Sequence, residues 1–330
     1  MLGIKDLKQK ITITQTTVEC PVKDCSRKVE RQRHTFRREG RFMCPDHQIY
    51  ISPTTFEYGD GKNNVLWQHK ADLDLLEEVK KVKRESRIAR DNSEDALTWN
   101  TFRCLENTSQ LANLLSHVTQ ASHSYAELVY WSYSQKVKGA WLELNKARKE
   151  FGENLQRSSE PDLIAVTDKA LFFIEAKLTA TNDTSPSDPN NRKKYLTGGS
   201  EWHKQVFVSD FDTVAIHAKK YELFRFWLLG SWLAKEMERD FYLLNVVLSE
   251  RDTDIEALFI PHIQVNRQRQ FKRLSWEGIY SYIAENVPDS RDKRMLSAYF
   301  QGKTIGYNRF GELRKAFWLN KEHNGRMKGS

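Results

Sequence analysis

The spacing of hydrophobic positions changes several times along this chain, and each change marks a boundary between elements. Up to about residue 70, short runs of Thr, Ile, Phe and Tyr end near Gly59 and Gly61, which predicts a small β-rich module. Over residues 73–88 the apolar positions Leu76, Val79 and Val82 recur in three-residue steps, while Lys80, Lys81, Lys83, Arg84 and Arg87 crowd the same stretch. This pattern predicts a basic connecting helix. Asp91, Asn92 and Ser93 are good caps for a second helix carrying Leu97, Phe102 and Leu105. More helix is expected over 125–151. The period then shortens. Residues 163–166 and 171–174 are apolar runs separated by Asp168 and Lys169, the pattern of two paired strands and a tight turn. Residues 179–199, with Pro186, Pro189 and Gly198, read as an exposed loop. A long helix follows over 215–238, carrying Tyr221, Phe224, Leu228 and Trp232. Strands are expected at 241–248 and at 259–265, the latter weakened by Pro261, and helices at 276–284 and 309–319.

Helices before and after a central strand cluster give an α/β or α+β layered fold. The expected organisation is a module at 1–70, a basic helical connector at 71–92 and a larger domain over 93–330 with a C-terminal extension.

Composition agrees with a folded chain. Of the 330 residues 39% are hydrophobic and 29% charged, which excludes disordered and fibrous classes. The net charge of +8 favours a polyanionic partner. No run approaches the roughly 20 apolar residues of a membrane span. The first residues, with Lys5, Asp6, Lys8 and Lys10, lack the apolar core of a signal peptide, so a cytoplasmic protein is expected. Three of the four cysteines lie in one short N-terminal segment, which argues for metal ligation in a reducing compartment and against a disulfide framework.

The hairpin carries the chemistry. If Asp168 and Lys169 are its two central residues, Thr167 faces Ala170, and counting outward sets Asp162 opposite Glu175. Lys177 lies two residues beyond Glu175 and so falls on the same strand face. Two carboxylates that hold Mg²⁺ or Mn²⁺ beside a lysine suit phosphodiester hydrolysis, and the expectation depends on that register.

At these residues the chain resembles the PD-(D/E)xK nuclease superfamily, with Pro161-Asp162 as the PD and Glu175-Ala176-Lys177 as the (D/E)xK. The resemblance covers roughly residues 93–285. It implies a restriction-endonuclease-like core, a central mixed sheet flanked by helices, with catalytic Mg²⁺ held by Asp162 and Glu175. It also implies an acid on the helix before the sheet. Glu94 is favoured there, because Leu97, Thr101, Phe102 and Leu105 share its helix face and would turn its carboxylate inward. Glu106, Glu127 and Glu143 are the alternatives. Gln205, in Trp202-His203-Lys204-Gln205, matches the family's polar position on the later helix, with His203 and Lys204 as neighbours that could touch phosphate.

Four residues separate Cys20 from Cys25 and two separate Cys44 from His47, with eighteen between the pairs. Two close ligand pairs joined by a loop are the recipe for a structural, tetrahedral Zn²⁺ site. His34 is an alternative to His47. The loop between the pairs carries Arg27, Lys28, Arg31, Arg33, Arg37, Arg38 and Arg41. The module resembles treble-clef or ribbon-like fingers, and binds either DNA or a protein.

The expected function is therefore a metal-dependent DNA endonuclease of restriction or anti-phage type, acting as a homodimer or with a partner subunit. A repair or recombination nuclease, or a nucleic-acid-binding or docking protein that does not cut, are the alternatives.

Overall fold

A computed structural model describes residues 1–33, 35–83, 86–155, 160–187 and 192–319, which group into two compact units. The first comprises Met1–Leu66, Arg87–Ala96 and Glu277–Ser330, and the second Trp67–Ser86 and Leu97–Trp276. Among the described residues no helix is long and apolar enough to cross a membrane.

In the first unit β1 (Thr17–Glu19) pairs antiparallel with β2 (Lys28–Glu30), and β3 (Met43–Cys44), β4 (Ile49–Ile51) and β5 (Phe56–Tyr58) form a meander. This β-rich character matches the expectation. The C-terminal residues do not. Instead of a helix over 309–319, strands Thr304–Tyr307 and Leu313–Lys315 pair as a hairpin, and Tyr307 is buried in one core with Val18, Ile49 and Phe56. Gly311 explains the change. Its φ is +77°, and a Cβ there would lie 2.2 Å from the Ile11 carbonyl oxygen, so the chain turns there and pairs Glu312 with Lys10. The compact units are drawn differently from the expected division at 1–70, 71–92 and 93–330, in that the C-terminal segment shares a unit with the N-terminal residues.

The connector helix, α1 (Lys70–Val82), belongs to the second unit, where it packs beside the sheet edge and buries Leu76 and Val79. Helix α2 (Glu94–Asn107) begins at the expected place, and α3 (Leu111–Thr119) follows it. Residues 125–151, expected to be helical, instead hold strands β6 (Ala126–Tyr130), β7 (Tyr133–Ser134) and β8 (Gly139–Ala140) before α4 (Leu142–Glu150). The reason is tertiary: β6 lies against the hairpin, pairing Val129 with Ile164, and its apolar half is fully buried there.

The hairpin consists of β9 (Leu163–Thr167) and β10 (Ala170–Ala176), with β10 buried along its whole length, as befits a central strand. Helix α5 (Arg192–Glu201), broken at Gly198–Ser200, occupies part of the segment expected to be a loop, and the short α6 (His203–Val206) follows. Pro189 lies outside the described residues. The long helix is shorter than expected. A π-helical turn at Asp212–His217 and a positive φ of 55° at Lys219 precede α7 (Tyr221–Glu236). Strand β11 (Asp240–Val247) then runs parallel to β10. The strand expected at 259–265 is replaced by α8 (Ile255–Phe259) and a 3-10 turn with Pro261 in its first positions, where a missing N–H costs nothing. A strand not anticipated, β12 (Arg269–Ser275), closes the sheet. It is an edge strand with Phe271 alone fully buried, so its sequence is too polar to stand out.

The seven strands lie in the order β12-β11-β10-β9-β6-β7-β8, antiparallel from β10 through β8 and parallel from β10 to β12. Helix α7 is the crossover between β10 and β11. It sits close on the sheet because Gly230 offers no side chain: a Cβ there would lie 2.3 Å from the Phe241 ring. Trp227, Phe226, Phe173 and Phe241 pack edge to face around that contact. Each such buried side chain contributes about 1.5–3 kcal/mol, so this layer fixes where the first turn of α7 meets the end of β10.

Candidate functional site

The hairpin has the anticipated register. Leu171 faces Val166 and Ile174 faces Leu163, which sets Asp162 across from Glu175 one step further on. Thr167 pins the turn, its Oγ1 accepting from the backbone N–H groups of Lys169 and Ala170 at 3.2 and 2.9 Å. At the open end the Asp162 carboxylate is fixed by two donors. Its Oδ1 accepts from Trp131 Nε1 and its Oδ2 from the Ala176 backbone N–H, both at 2.9 Å.

Glu175 and Lys177, two residues apart, form an ion pair, and Lys177 Nζ also donates to Glu222 Oε2 at 2.8 Å. The Lys177 backbone is held by Val246 through its N–H and by the Trp276 indole through its carbonyl. Glu222 sits in the first turn of α7, where Thr184 Oγ1 accepts from its backbone N–H at 2.9 Å. All three side chains are largely withdrawn from water, at 5% exposure for Glu175, 12% for Lys177 and 21% for Glu222.

The electrostatics follow from this burial. Burial and the neighbouring charge of Glu222 push the Glu175 carboxyl well above its usual range, with Asp162 adding to the rise. Burial also works against ionised Glu222, but the Lys177 ammonium outweighs it and holds that carboxyl low. Lys177 keeps its proton more tightly than an ordinary lysine, because Glu175, Glu222 and Asp162 together overcome the burial. One lysine thus balances a group of three acids.

Asp162, Glu175 and Lys177 are brought together as the spacing implied. Gln205 is not with them: it lies exposed on α6, and its carbonyl accepts from Arg269. Glu94 opens α2 within Arg87–Ala96 and so belongs to the first unit, whereas the hairpin belongs to the second. Among the alternatives, Glu106 accepts from Arg103, Tyr130 and Gln135, Glu127 is half-buried on β6, and Glu143 pairs with Lys146. The acid that does reach Lys177, Glu222, had no distinguishing mark in the sequence, since acids in the first turn of a helix are common for the sake of its dipole. Trp131 was likewise missed, being a buried aromatic among nine tryptophans.

The first unit carries a second constellation. Cys20 and Cys25 lie between β1 and β2, Cys44 ends β3, and His47 sits in the turn to β4; the ligating atoms of all four lie within 4.8 Å of one another. All four cysteines of the chain are thiols, and Cys104 is buried in α2. Three thiols and an imidazole are a donor set that zinc favours, and arms of about 2.3 Å in a tetrahedron give edges of about 3.8 Å. The distances match: Cys25 Sγ to Cys44 Sγ is 3.8 Å, Cys44 Sγ to His47 Nδ1 3.5 Å and Cys20 Sγ to His47 Nδ1 3.8 Å. Burial, reinforced by the crowding of Cys44 and Cys25, pushes the Cys20 thiol up, a repulsion that a bound cation relieves. A Cys20-Cys25-Cys44-His47 cluster able to hold a metal such as zinc is therefore present. His34, the alternative ligand, lies outside the described residues. The Cys20-Cys25-Cys44-His47 cluster is the one group of three or more Cys, His, Asp or Glu side chains placed to hold a metal among the described residues.

No family model matches the chain, and neither a curated protein nor a solved structure matches it.

Proposed function

We propose that this chain is a metal-dependent nuclease that hydrolyses phosphodiester bonds in DNA, with a restriction-endonuclease-like core and a structural zinc in its N-terminal module. The observation that carries the proposal is the convergence, at the open end of one hairpin, of Asp162, Glu175 and Lys177. The antiparallel hairpin beside a parallel crossover through α7 supports it further.

The donors fit Mg²⁺ or Mn²⁺. Carboxylate oxygens are the hard donors these cations prefer, and such cations take one or two protein carboxylates and complete their shell with water and phosphate oxygens. Asp162 and Glu175 would hold the ion, whose chemistry is to neutralise phosphate charge and acidify a bound water. Lys177 supplies a fixed positive charge next to the carboxylates, suited to an oxyanion developing on phosphorus. Glu222 keeps that ammonium in place. Restriction or anti-phage defence is the setting proposed for the activity.

The test is incubation of the purified protein with supercoiled plasmid and with modified and unmodified phage DNA. Mg²⁺ or Mn²⁺ should support nicking or linearisation. EDTA at a level that leaves the zinc content unchanged should stop it. Asp162→Asn and Glu175→Gln should bind DNA and not cut it, because affinity rests on dispersed phosphate contacts while the chemistry rests on the carboxylates. Bound DNA left intact by the wild-type protein under every metal would favour the docking protein and sink the nuclease.

A further inference from the structure

The basic loop between the two metal-ligand pairs does not present its charges evenly. Arg27 is committed to Asp46, donating through Nε at 2.9 Å and Nη2 at 3.3 Å, and Arg38 pairs with Glu57 at 2.9 Å with its guanidinium 6.0 Å from the Tyr50 ring. Arg31, Arg33, Arg37 and Arg41 line one surface cavity of about 210 Å³ together with Glu30 and Phe42, with Arg31 Nη1 donating to the Thr14 carbonyl at 2.9 Å and Arg41 reaching Glu39 through Nε at 2.9 Å and Nη2 at 2.8 Å. Four arginines against the carboxylates of Glu30, in the lining, and Glu39, which pairs with Arg37 and Arg41, leave the cavity with an excess of positive charge.

Gln32 fixes the arrangement. Its side chain is buried, its Nε2 donates to the Ile51 carbonyl at 2.9 Å, and its Oε1 accepts from the Arg37 backbone N–H at 2.6 Å. The loop is thus tied to β4 from inside, and its arginines are held around the cavity without a ligand. The acids nearby are weak competitors. Arg41 lies 3.6 Å from Glu30 and 2.8 Å from Glu39, and Arg37 lies 3.5 Å from Glu39, with every one of these side chains 43–61% exposed. Ion pairs as open as these contribute about 0–1 kcal/mol and give way to a better anion. The space suits one phosphate group with its waters, since a water occupies about 30 Å³ of liquid. Phe42 is buried and offers no open face for stacking a base, so the pocket reads backbone charge and not sequence.

We propose that this pocket seats one backbone phosphate of duplex DNA and is the anchor by which the metal-bound module grips its substrate. The inference rests on the DNA-binding part of the proposed function and is independent of whether the chain cuts.

The test uses the full-length Glu175→Gln protein without added Mg²⁺ and measures binding of a labelled duplex by anisotropy over a range of salt concentrations. Adding Arg33→Gln and Arg37→Gln should weaken binding about tenfold at low salt and lower the slope of log K against log salt by about one, the signature of one lost phosphate contact. Arg294→Gln, an exposed change in the same unit, should alter neither quantity. Unchanged slope and affinity in the pocket variant, with normal zinc content and melting temperature, would overturn the inference. Calorimetric binding of inorganic phosphate that the pocket changes abolish, without any change in the DNA slope, would overturn it in favour of a free-phosphate site. Plasmid cleavage, scored separately, decides the nuclease reading alone: a protein that shows the slope change and never cuts keeps this inference and loses that one.

Discussion

Trp131 holds Asp162 at two points: its indole Nε1 donates to Oδ1 at 2.9 Å, and its backbone N–H donates to the Asp162 carbonyl at 3.1 Å. The tryptophan is 2% exposed and has a φ of +43°, a conformation bulky residues rarely adopt, and Ser132 after it has a φ of +73°. Strain of this kind persists where the surroundings over-determine it. Here the backbone donor fixes the Asp162 main chain while the indole donor holds its carboxylate in one orientation.

Trp131→Phe removes the indole donor and keeps the aromatic bulk. Asp162 then swings more freely, and partners that orient a ligating group are typically worth about 10–100-fold in metal affinity or activity. A Mg²⁺ titration of plasmid cleavage should show the variant needing more metal while reaching for the same products. A wild-type metal requirement in Trp131→Phe would remove Trp131 from the site.

Lys177 is the cation that makes the acid cluster tolerable, so its removal should cost stability as well as activity. Lys177→Ala takes away the ammonium that both Glu175 and Glu222 contact and leaves Glu222 only the more distant Arg225, a change worth about 3–5 kcal/mol in comparable buried pairs. Adding Glu222→Gln should recover much of that loss in a urea melt without restoring cleavage. If the single and double variants melt together, the two carboxylates are better solvated than their burial implies.

His203 should make the second unit sensitive to mild acid. Its ring stacks on Phe207, with centroids 4.9 Å apart, and its buried Nε2 has no protein partner, so burial lowers its pKa against the weaker opposing pull of Asp210. The unfolded chain, with an ordinary histidine near 6.5, then binds the proton more readily than the folded one. Stability from this group is complete above that value and is lost as pH falls from it through the folded pKa. His203→Phe keeps the stack and removes the titration, so its urea midpoint should fall less than that of the wild type between pH 7.5 and 5.5. Equal falls in the two proteins would refute the assignment.

Metal and fold should be coupled in the first unit. One zinc per chain is expected by elemental analysis. Cys44→Ser should release it and open residues 17–58 to protease, because the strands there are two or three residues long and share a small core with the ligands. The β9–β10 hairpin should stay protected. Protease resistance without bound metal would make the cluster incidental to folding.

The sequence by itself determined what depends on neighbours along the chain. Cys20-Cys25 and Cys44-His47 are paired by short turns, so their spacing alone announces the cluster. The register that sets Asp162 opposite Glu175 follows from a two-residue turn and a period of two. The tertiary structure decided everything that depends on distant segments. Residues 126–130 became a strand because β9 lies beside them, and β12 is a strand although its exposed edge position keeps it polar. Glu222 reaches Lys177, forty-five residues away, because the Gly230 contact seats α7 on the sheet. Tyr307 joins the core of the N-terminal module although almost the whole chain separates them. Of seven basic residues in one loop, four line a cavity and two pair with Asp46 and Glu57, a division set by where the fold brings those acids. A periodic pattern records which face of an element is apolar, and the identity of the partner that covers that face is carried by no local residue.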